Sequence, residues 1–536
     1  MFVKSKRSKR RNKMNYKRVF LIVLDSFGIG EMSDAEAYGD IGSDTLSSVY
    51  ETGKLNVPNL KKLGLFNIKG VRADKPEKTP IGVYGRAEER SNGKDTIVGH
   101  WEIAGVVSDE PFPTYPNGFP SEILDELEAR TGIGAICNMP YSGTEVISDY
   151  GKEHFETKKM IVYTSSDSVF QAAAHNDVYP LSVLYSYCEE ARKILTGKHR
   201  VGRVIARPFT GEYPSFVRTS DRHDYSVEPP KPTMLDILKD NGYDVITVGK
   251  IYDIFSGRGI TESYKTKSNN DGMIKTTELQ SKDFTGICFI NLVDFDMKFG
   301  HRNDAHGYAE ALNRFDEWLG TFLNEMKEND LLIITADHGC DPKTESTDHS
   351  REYVPILCYS KGINSIDLGE RDSFCDISKT ILSNFEIKDD TDGNSFLSVL
   401  CKYDQQMLIE EADKARKYSF SPYSSYKVGA ALLCDDGKIF CGTNIESVSY
   451  SPTVCAERNA VFKAVSEGKK NFIALAVAGG KGEISECTPC GVCRQVIYEL
   501  CSKDLPIIYM GKDGKINVER IEALLPHGFS QSSLED

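Results

Sequence analysis

Three apolar runs in this chain each end at a polar residue that can bind a metal ion. Each run has the continuous apolar character of a strand that is buried on both faces of a parallel sheet. The runs are RVFLIVL at 18–24, TGICFINLVDFD at 285–296 and DLLIITADHG at 330–339. Because open α/β sheets place ligands at the carboxyl ends of their strands, the pattern predicts a site at one sheet edge.

The polar residues at these strand ends are carboxylates and imidazoles. Taken alone, the pair Asp337-His338 is most simply interpreted as structural, but its recurrence at three strands favours a shared site. One more histidine follows in STDHSREYVP at 346–355. Carboxylates mixed with imidazoles suit Mn²⁺, Zn²⁺ or Mg²⁺ in a two-metal site for phosphoryl transfer. The members of the set are Asp25, Asp296, His301, Asp337, His338 and His349.

Length and charge limit the classes of protein to consider. The 536 residues predict two or three domains. The net charge of −14 argues against a nucleic-acid partner, because phosphate backbones are bound by clustered Lys and Arg. No stretch approaches the ~18 apolar residues of a membrane span, so we expect no membrane partner and a cytoplasmic location. The basic residues near the start predict a disordered extension at 1–13.

Several long blocks of the first 400 residues resemble the phosphopentomutase family of the alkaline phosphatase superfamily. The blocks are LIVLDSFGIGE, GKDTIVGHWE, YTSSDSVFQ, VGRVIARPF, NLVDFDMKFGHRND and ITADHGCDP with TDHSREYVP. The resemblance implies an α/β fold with an alkaline-phosphatase-like core at 14–107 and 229–400 and an inserted α/β cap domain at 108–228. It also implies two Mn²⁺ ions and a threonine, Thr96, that becomes phosphorylated after priming by a sugar bisphosphate.

The same resemblance implies roles for individual residues. One ion would be bound by Asp25, Asp337 and His338 together with Thr96. The other would be bound by Asp296, His301 and His349. In the cap, Asp167 would hold ribose hydroxyls, while Arg203 and Arg207 would meet a phosphate. Lys250, just after the cap, is a further phosphate candidate. For these four residues, ordinary surface or ion-pair roles remain the alternative.

The chemistry of the implied reaction is consistent with these parts. A threonine hydroxyl is a poor nucleophile at neutral pH, and a metal ion activates it without another titratable group. A mutase must also pass its phosphoryl group to the second sugar oxygen before water takes it, which would be the task of the cap. The alternative is a related metal-dependent phosphatase or phosphoglycerate-type mutase. We expect His100 beside the site, and His154 and His199 in contact with solvent.

The last 136 residues have a different character. Eight of the 14 cysteines lie here, and without a secretion signal they indicate metal ligation or buried thiols rather than disulfides. TVCAERN and TPCGVCRQ supply three thiolates, from Cys455, Cys490 and Cys493. Three ligands leave a zinc position for water, as in catalytic sites, whereas Cys487 would complete a structural site. Glu457 would shuttle protons beside a catalytic zinc.

This region resembles the cytidine deaminase family of the three-cysteine, homotetrameric type. The blocks that carry the resemblance are YSSYKVGAALL, GTNIES, CAERNAVFKAV and PCGVCRQV. It implies an α/β/α sandwich domain at 405–536, one Zn²⁺ and a homo-oligomer formed through this domain. Asn444 and Glu446 would hold the ribose hydroxyls, and Tyr426 stands where the family often has a phenylalanine near the base. Arg458 and Arg494 would offset the negative charge of the thiolates.

Together the two resemblances imply a bifunctional nucleoside-salvage enzyme that acts on small molecules. One part would interconvert the 1-phosphates and 5-phosphates of ribose and deoxyribose, and the other would deaminate cytidine or deoxycytidine. These reactions are not consecutive, so channelling between the sites is not predicted. The alternative is that one half is a non-catalytic oligomerisation module. The linker CKYD at 401–404 is too short to let the two parts move far apart.

Overall fold

The structure, a computed structural model, describes residues 16–165, 168–530 and 533. The predicted extension at 1–13 and the substrate candidate Asp167 lie outside the described residues. No helix among the described residues has the length and apolar character that crossing a membrane would require.

The described residues form 19 strands and 17 α-helices, numbered along the chain. The strands are β1 (Arg18–Leu24), β2 (Val83–Ala87), β3 (Ala135–Pro140), β4 (Met160–Thr164), β5 (Val169–His175), β6 (Arg203–Thr210), β7 (Val217–Arg218), β8 (His223–Ser226), β9 (Asp244–Val248), β10 (Glu262–Tyr264), β11 (Gly286–Leu292), β12 (Asp330–Thr335), β13 (Val354–Tyr359), β14 (Ile366–Arg371), β15 (Lys427–Cys434), β16 (Ile439–Thr443), β17 (Phe472–Gly480), β18 (Pro506–Met510) and β19 (Ile516–Arg520).

The helices are α1 (Ala35–Tyr38), α2 (Thr45–Tyr50), α3 (Pro58–Leu63), α4 (Thr96–Ile103), α5 (Ser121–Thr131), α6 (Glu145–Thr157), α7 (Leu181–Ile194), α8 (Met234–Asp240), α9 (Ile251–Ile254), α10 (Asn269–Ser281), α11 (Ala305–Glu325), α12 (Cys375–Asn384), α13 (Leu397–Leu400), α14 (Gln405–Arg416), α15 (Ala456–Ser466), α16 (Gly491–Leu500) and α17 (Ile521–Leu524). Short 3₁₀ turns lie at Leu65–Asn67, Gly197–His199 and Gly300–Arg302, and a π-helical turn at Phe295–Phe299.

Eight strands form the first sheet, in the order β10-β9-β11-β1-β12-β13-β2-β14. β13 is antiparallel to both of its neighbours, and the other pairs are parallel. β1, β11 and β12 are buried along their whole length, as expected of central strands in a mostly parallel sheet. The prediction that the three apolar runs are buried strands is confirmed.

A second sheet, inserted between β2 and β9, has the order β3-β4-β5-β6-β7, with β8 paired to β6. Apolar side chains of α5 and α7 pack on one face of this sheet, and those of α6 pack on the other. The inserted segment is therefore an α/β unit with two apolar layers of its own.

The C-terminal residues form a third sheet, in the order β16-β15-β17-β18-β19. α14 packs on one face of this sheet and α15 with α16 on the other, so the predicted α/β/α sandwich is confirmed. The predicted hairpin joins β15 and β16, where Cys434 N donates to the Lys438 carbonyl at 2.9 Å and Gly437 has a φ of 80°.

The expectation of contact with solvent is wrong for His154, whereas His199 keeps part of its ring in solvent. His154 is fully buried, its Nδ1 donates to the Lys159 carbonyl at 2.6 Å, and its Nε2 accepts the main-chain N–H of His175 at 3.0 Å. His199 is only 19% exposed and lies 2.7 Å from the Tyr115 hydroxyl. Burial lowers the pKa of His154 below its usual value, and its neighbours leave no acceptor for a second ring proton.

We predict that acid weakens the cap through His154. Because the pKa is below 6.5 in the folded state, the unfolded chain takes up a proton that the folded cap does not as the pH falls below that value. Stability is thus present above about pH 6.5 and is lost as the pH falls. Hydrogen exchange of the β4 and β5 amides should show a smaller opening free energy at about pH 5.5 than at about pH 7.5.

Substitution of His154 shows whether the pH dependence of cap stability arises from this residue or from other titratable groups. His154→Asn should flatten the pH dependence, whereas His223→Asn, at an exposed position of the same sheet, should leave it unchanged. Equal pH dependence in the wild type and in His154→Asn would contradict the assignment.

Candidate metal centres

The carboxyl ends of β1, β11 and β12 meet at one edge of the first sheet. These strands are parallel neighbours, with Leu24 opposite Leu292 and Val23 opposite Thr335. The residues that follow the strands are therefore brought together although up to 312 positions separate them along the chain, the span from Asp25 to Asp337. All six predicted ligands lie at this edge, in two overlapping groups.

The first group consists of Asp25, Asp337 and His338, which are all buried. His338 Nε2 lies 3.3 Å from Asp337 Oδ2 and 3.6 Å from Asp25 Oδ1. The predicted nucleophile Thr96 joins them, with its Oγ1 3.1 Å from His338 Nε2. His100 is also here, as expected, with its Nδ1 3.2 Å from Asp337 Oδ2.

The second group consists of Asp296, His301 and His349. His301 Nε2 lies 3.3 Å from Asp296 Oδ2, and His349 Nε2 lies 3.4 Å from Asp296 Oδ1. The two imidazole Nε2 atoms are 3.1 Å apart. Cys340 lies within ligand distance of Asp296 and His301, which the sequence analysis missed, although the residue directly follows the ADHG motif.

Main-chain carbonyls fix the orientation of the three histidines. The acceptors are the carbonyl oxygens of Thr347 for His301 at 2.6 Å, Gly339 for His338 at 2.9 Å and Lys94 for His349 at 2.8 Å. A carbonyl can only accept, so in the neutral rings each Nδ1 carries the proton and each Nε2 presents a lone pair to the carboxylates. This is the tautomer in which histidine binds metal ions through Nε2.

The carboxylates of the cluster are short of positive charge and of hydrogen bonds. Asp25 Oδ1, Asp296 Oδ1 and Asp337 Oδ2 are buried without a hydrogen-bond donor among the described residues. Burial and the nearby charges of Asp337 and Asp296 raise the pKa of Asp25 to about 7. Burial opposes the ionised form of Asp337 too, but His338 and His100 outweigh it and lower that pKa. Such an arrangement fits divalent cations, which supply the missing charge.

A backbone contact fixes the helix that begins at Thr96 against the cluster. The Asp95 side chain caps α4 by accepting from Ile97 N at 2.9 Å and Val98 N at 3.2 Å. Gly99 lies so close to β12 that a Cβ there would be 2.2 Å from the Asp337 carbonyl oxygen. Thr96 and Asp337 therefore hold a fixed spacing, which any larger residue at position 99 would change.

Glu352 connects the loops that carry the ligands, and the sequence analysis missed it. Its buried carboxylate accepts four hydrogen bonds from the loop after β1, the start of α2 and its own segment. The donors are Gly30 N at 3.1 Å, Thr45 N at 2.9 Å, Thr45 Oγ1 at 2.8 Å and Ser350 Oγ at 2.7 Å. A Cβ at Gly28 or Gly339 would lie 2.3 or 2.4 Å from its carboxylate oxygens, so both motif glycines make room for it.

Two of the predicted phosphate residues, Arg203 and Arg207, lie on β6 of the inserted unit. Lys250 Nζ lies 3.3 Å from the sulfur of Met297, the residue after Asp296, and burial lowers the pKa of this lysine. Arg207 donates to Gln171 Oε1 at 3.1 Å, and burial with Arg222 lowers its pKa to about 10.

Two further cap arginines, which the sequence analysis did not identify, share the surface of β6 to β8. Arg222 makes two hydrogen bonds of 2.6 Å to Asp224, and Arg218 lies beside Tyr163. Each residue sits in a polar hairpin without an adjacent motif, so sequence alone offered no signal for them.

The C-terminal cysteines form a second, separate centre. Sulfur atoms of Cys455, Cys490 and Cys493 lie within 4.8 Å of one another, with 3.7 Å between Cys455 and Cys490. Cys455 and Cys490 are the residues that precede the first turns of α15 and α16, where helix dipoles favour thiolates. Hydrogen bonding from Cys493 lowers the pKa of Cys455 to about 5 against the opposing effect of burial. Three convergent sulfurs fit a zinc ion.

The surroundings of this centre bear on whether a zinc ion bound here would be catalytic, with three cysteine ligands, or structural, with Cys487 as a fourth. They favour three cysteine ligands. Cys487 is outside the group of three among the described residues, and burial raises the pKa of its thiol to about 11. Glu457 is buried beside Cys455, and burial, then the charge of Cys455, raises its pKa to about 7. Arg458 Nη2 lies 3.9 Å from Cys455 Sγ, whereas Arg494 donates to the Leu524 carbonyl at 2.6 Å.

The predicted nucleoside-binding residues lie on the loops around β15 and β16, and most of their polar atoms are engaged within the domain. The Asn444 amide donates to the Tyr426 carbonyl at 2.9 Å and accepts from Val428 N at 2.9 Å. Glu446 accepts from Tyr423 N at 2.9 Å. The Tyr426 hydroxyl lies 3.4 Å from the Glu486 carbonyl. Their roles toward a nucleoside stay predictions.

We predict that Gly339 and Glu352 are coupled by steric contact. Gly339→Ala should destabilise the protein by about 2 kcal/mol, because the new methyl group overlaps the carboxylate. Glu352→Ala should cost about 3 kcal/mol by leaving its donors unpaired. In the double variant the overlap disappears, so the cost should be clearly below the sum. Denaturant unfolding measures all four proteins, and strictly additive costs would contradict the contact.

Two family models match the chain. The Metalloenzyme superfamily model matches residues 17–389, and the cytidine and deoxycytidylate deaminase zinc-binding region matches residues 402–509. Phosphopentomutase from Lachnoclostridium phytofermentans is 57% identical over 388 residues, which are 72% of this chain and 100% of that protein. Phosphopentomutase from Clostridium novyi is 53% identical over 387 residues, 72% of this chain and 99% of that protein.

One solved structure extends the comparison to the C-terminal region. Cytidine deaminase from Burkholderia pseudomallei is 41% identical and covers 24% of this chain and 100% of its own, with a TM-score of 0.23. The two family models and the phosphopentomutase relatives confirm the two resemblances found in the sequence. The chain belongs to the phosphopentomutase family over the N-terminal 72% of its length and carries a cytidine and deoxycytidylate deaminase zinc-binding region at residues 402–509.

Proposed function

We propose that this protein is a bifunctional enzyme of nucleoside salvage. Its N-terminal part interconverts (deoxy)ribose 1-phosphate and (deoxy)ribose 5-phosphate through a phosphothreonine, and its C-terminal domain converts (deoxy)cytidine to (deoxy)uridine. The observation that carries the first activity is the Thr96 hydroxyl, 3.1 Å from His338 Nε2, beside a cluster of three carboxylates and three imidazoles. The proposed division of the chain is a core at 14–107 and 229–400, a cap at 108–228 and a deaminase domain at 405–536.

In the first site the proposed metal is Mn²⁺, two ions per chain. The proposed ligands of one ion are Asp25, Asp337 and His338 with Thr96. Those of the other ion are Asp296, His301 and His349. When bound, the ions neutralise phosphate charge and lower the pKa of the threonine hydroxyl. Thr96 begins α4, so the first N–H groups of that helix and its dipole favour a phosphoryl group on its oxygen.

The cap, together with Lys250 of the core, supplies substrate binding and water exclusion. Lys250, Arg203 and Arg207 bind the phosphate of the sugar, since guanidinium groups match phosphate oxygens in pairs. Asp167 binds the ribose hydroxyls. Closing the cap over the sugar removes water, so the phosphoryl group on Thr96 returns to the other sugar oxygen. A sugar bisphosphate provides the first phosphoryl group.

In the second site Cys455, Cys490 and Cys493 would hold one Zn²⁺ ion, which would supply an acidified water molecule for addition to the cytosine ring, with ammonia as the leaving group. Glu457 would carry protons between the water and the base, and its pKa of about 7 suits both directions of transfer. Asn444 and Glu446 orient the ribose, and Tyr426 lies against the base.

We expect that substitution of one nucleophile or proton carrier abolishes one activity and spares the other. Thr96→Ala should lower mutase turnover by at least about 10³-fold and prevent phosphorylation of the protein, while cytidine deamination continues. Glu457→Ala should have the reverse effect, because the proton carrier is lost. Ribose 5-phosphate isomerisation, phosphate release and uridine formation are measured on each protein. Phosphate release without isomerisation would indicate a phosphatase instead.

The C-terminal domain also supports a proposal about assembly. Large apolar side chains are exposed on its surface, including Tyr418 at 82%, Tyr450 at 75% and Val448 at 73%. A monomeric protein rarely exposes such a concentration of apolar side chains. We propose that copies of the chain form a homo-oligomer through this domain.

Native mass spectrometry should find an oligomer with about two manganese-type ions and one zinc ion per chain. The double substitution Val448→Ser and Tyr450→Ser should shift the mass toward the monomer without changing the metal content, because it removes apolar contact area only. A matched change at an exposed apolar position of the cap, Tyr213→Ser, should leave the mass of the oligomer unchanged. A monomeric wild type would contradict this assembly.

A further inference from the structure

The C-terminal domain docks on the edge of the first sheet. β14 is the last strand of that sheet and β19 is the last strand of the third, and the two lie side by side. Arg520, at the end of β19, donates from Nε to the Asp367 carbonyl at 2.9 Å. A bulge in β14 makes room for it: Gly369 has a φ of 68°, and a Cβ there would lie 2.0 Å from the Arg520 guanidinium.

A buried ionic cluster joins the two domains at this place. Asp504 accepts two hydrogen bonds from Arg371 Nη1, at 2.8 and 2.9 Å, and one from Arg520 Nη1 at 2.8 Å. Arg371 also donates from Nε to Asp376 at 2.6 Å. Arg371 and Asp504 are 1% and 2% exposed, so water does not screen their attraction. Asp504 is therefore a counter-ion that the deaminase domain provides to the core.

The segment that contains Arg371 continues to the helix of the predicted nucleophile. The Arg371 carbonyl accepts from Glu88 N at 3.0 Å, just before the loop that leads to Thr96. Glu102, in α4, accepts five hydrogen bonds from both sides of this junction and is fully buried. The donors are Arg90 N at 2.9 Å, Ser91 N at 2.7 Å, Ser91 Oγ at 2.5 Å, Ser373 Oγ at 2.7 Å and Phe374 N at 3.0 Å.

We propose that Asp504 of the deaminase domain is a positioning residue for the mutase site: it fixes the segment at 371–376 and, through Glu102, the helix that begins at Thr96. The inference rests on the proposed role of Thr96. Asp504 touches neither substrate nor ligands, so its effect is on the placement of the nucleophile rather than on substrate affinity. The C-terminal domain thus contributes a residue that fixes the position of the proposed nucleophile in the N-terminal part.

The test uses the full-length, metal-loaded protein and both assays on the same preparation. Asp504→Asn should lower mutase kcat about tenfold, the size typical of coupling through a packed network, and leave KM unchanged. Deamination of cytidine should keep its kcat and KM. Hydrogen exchange at the α4 amides should become faster. Arg520→Gln, which keeps the Arg371–Asp504 contact, should produce the same pattern with a smaller change.

The matched control is Asp372→Asn. Asp372 also faces the other domain, with Lys503 Nζ at 3.5 Å, but its side chain is 78% exposed, so its removal should change neither activity. Unchanged mutase kcat in Asp504→Asn, or equal losses in both activities, would overturn the positioning role. A wild type without mutase activity would instead overturn the proposed function of the N-terminal part.

Discussion

The first site depends on the repulsion among three carboxylates that the fold holds together away from water. Asp25, Asp296 and Asp337 follow neighbouring strands, and each keeps an oxygen without a hydrogen-bond donor among the described residues. Because all three side chains are buried, bulk solvent screens their mutual repulsion only weakly, and other contacts must fix the loops that carry them. Glu352 and the close approach of Gly99 to β12 provide such contacts. Much of the surrounding sequence therefore serves to hold an unfavourable charge distribution until cations balance it.

The second centre also brings together groups that can carry negative charge, but these groups are cysteine thiols rather than carboxylates. Its three sulfur atoms come from the starts of two helices, and the pKa of Cys455 is lowered because Cys493 donates a hydrogen bond to its sulfur. Arg458 adds a positive charge 3.9 Å from Cys455 Sγ. Glu457 resembles Asp25 of the first site, because burial raises the pKa of each carboxyl group to about 7. The same chain thus presents one site of buried carboxylates and imidazoles and another site of thiols beside a single buried carboxyl group.

The strands and the ligand-type residues could be predicted because the signal is local. An apolar run that ends in Asp or His is visible within ten residues, and so is a pair of cysteines three positions apart, Cys490 and Cys493. Cys340, Glu352 and Glu102 were missed because their importance arises from partners far away in the sequence; Glu352, for example, contacts Thr45, 307 positions away. His154 was assigned to solvent because nothing in its helix revealed that the ring faces His175 across the cap core.

The position of β14 has a consequence for the order of synthesis. This edge strand and Arg371 belong to the part of the chain that leaves the ribosome first, whereas their cover, β19 with Asp504, is made last. The intervening stretch takes roughly ten seconds to translate, during which a strand edge is exposed and Arg371 has Asp376 but not Asp504 as a partner. Bulges such as the one at Gly369 blunt strand edges against pairing with other chains. The feature that later receives Arg520 therefore also protects the nascent protein from aggregation.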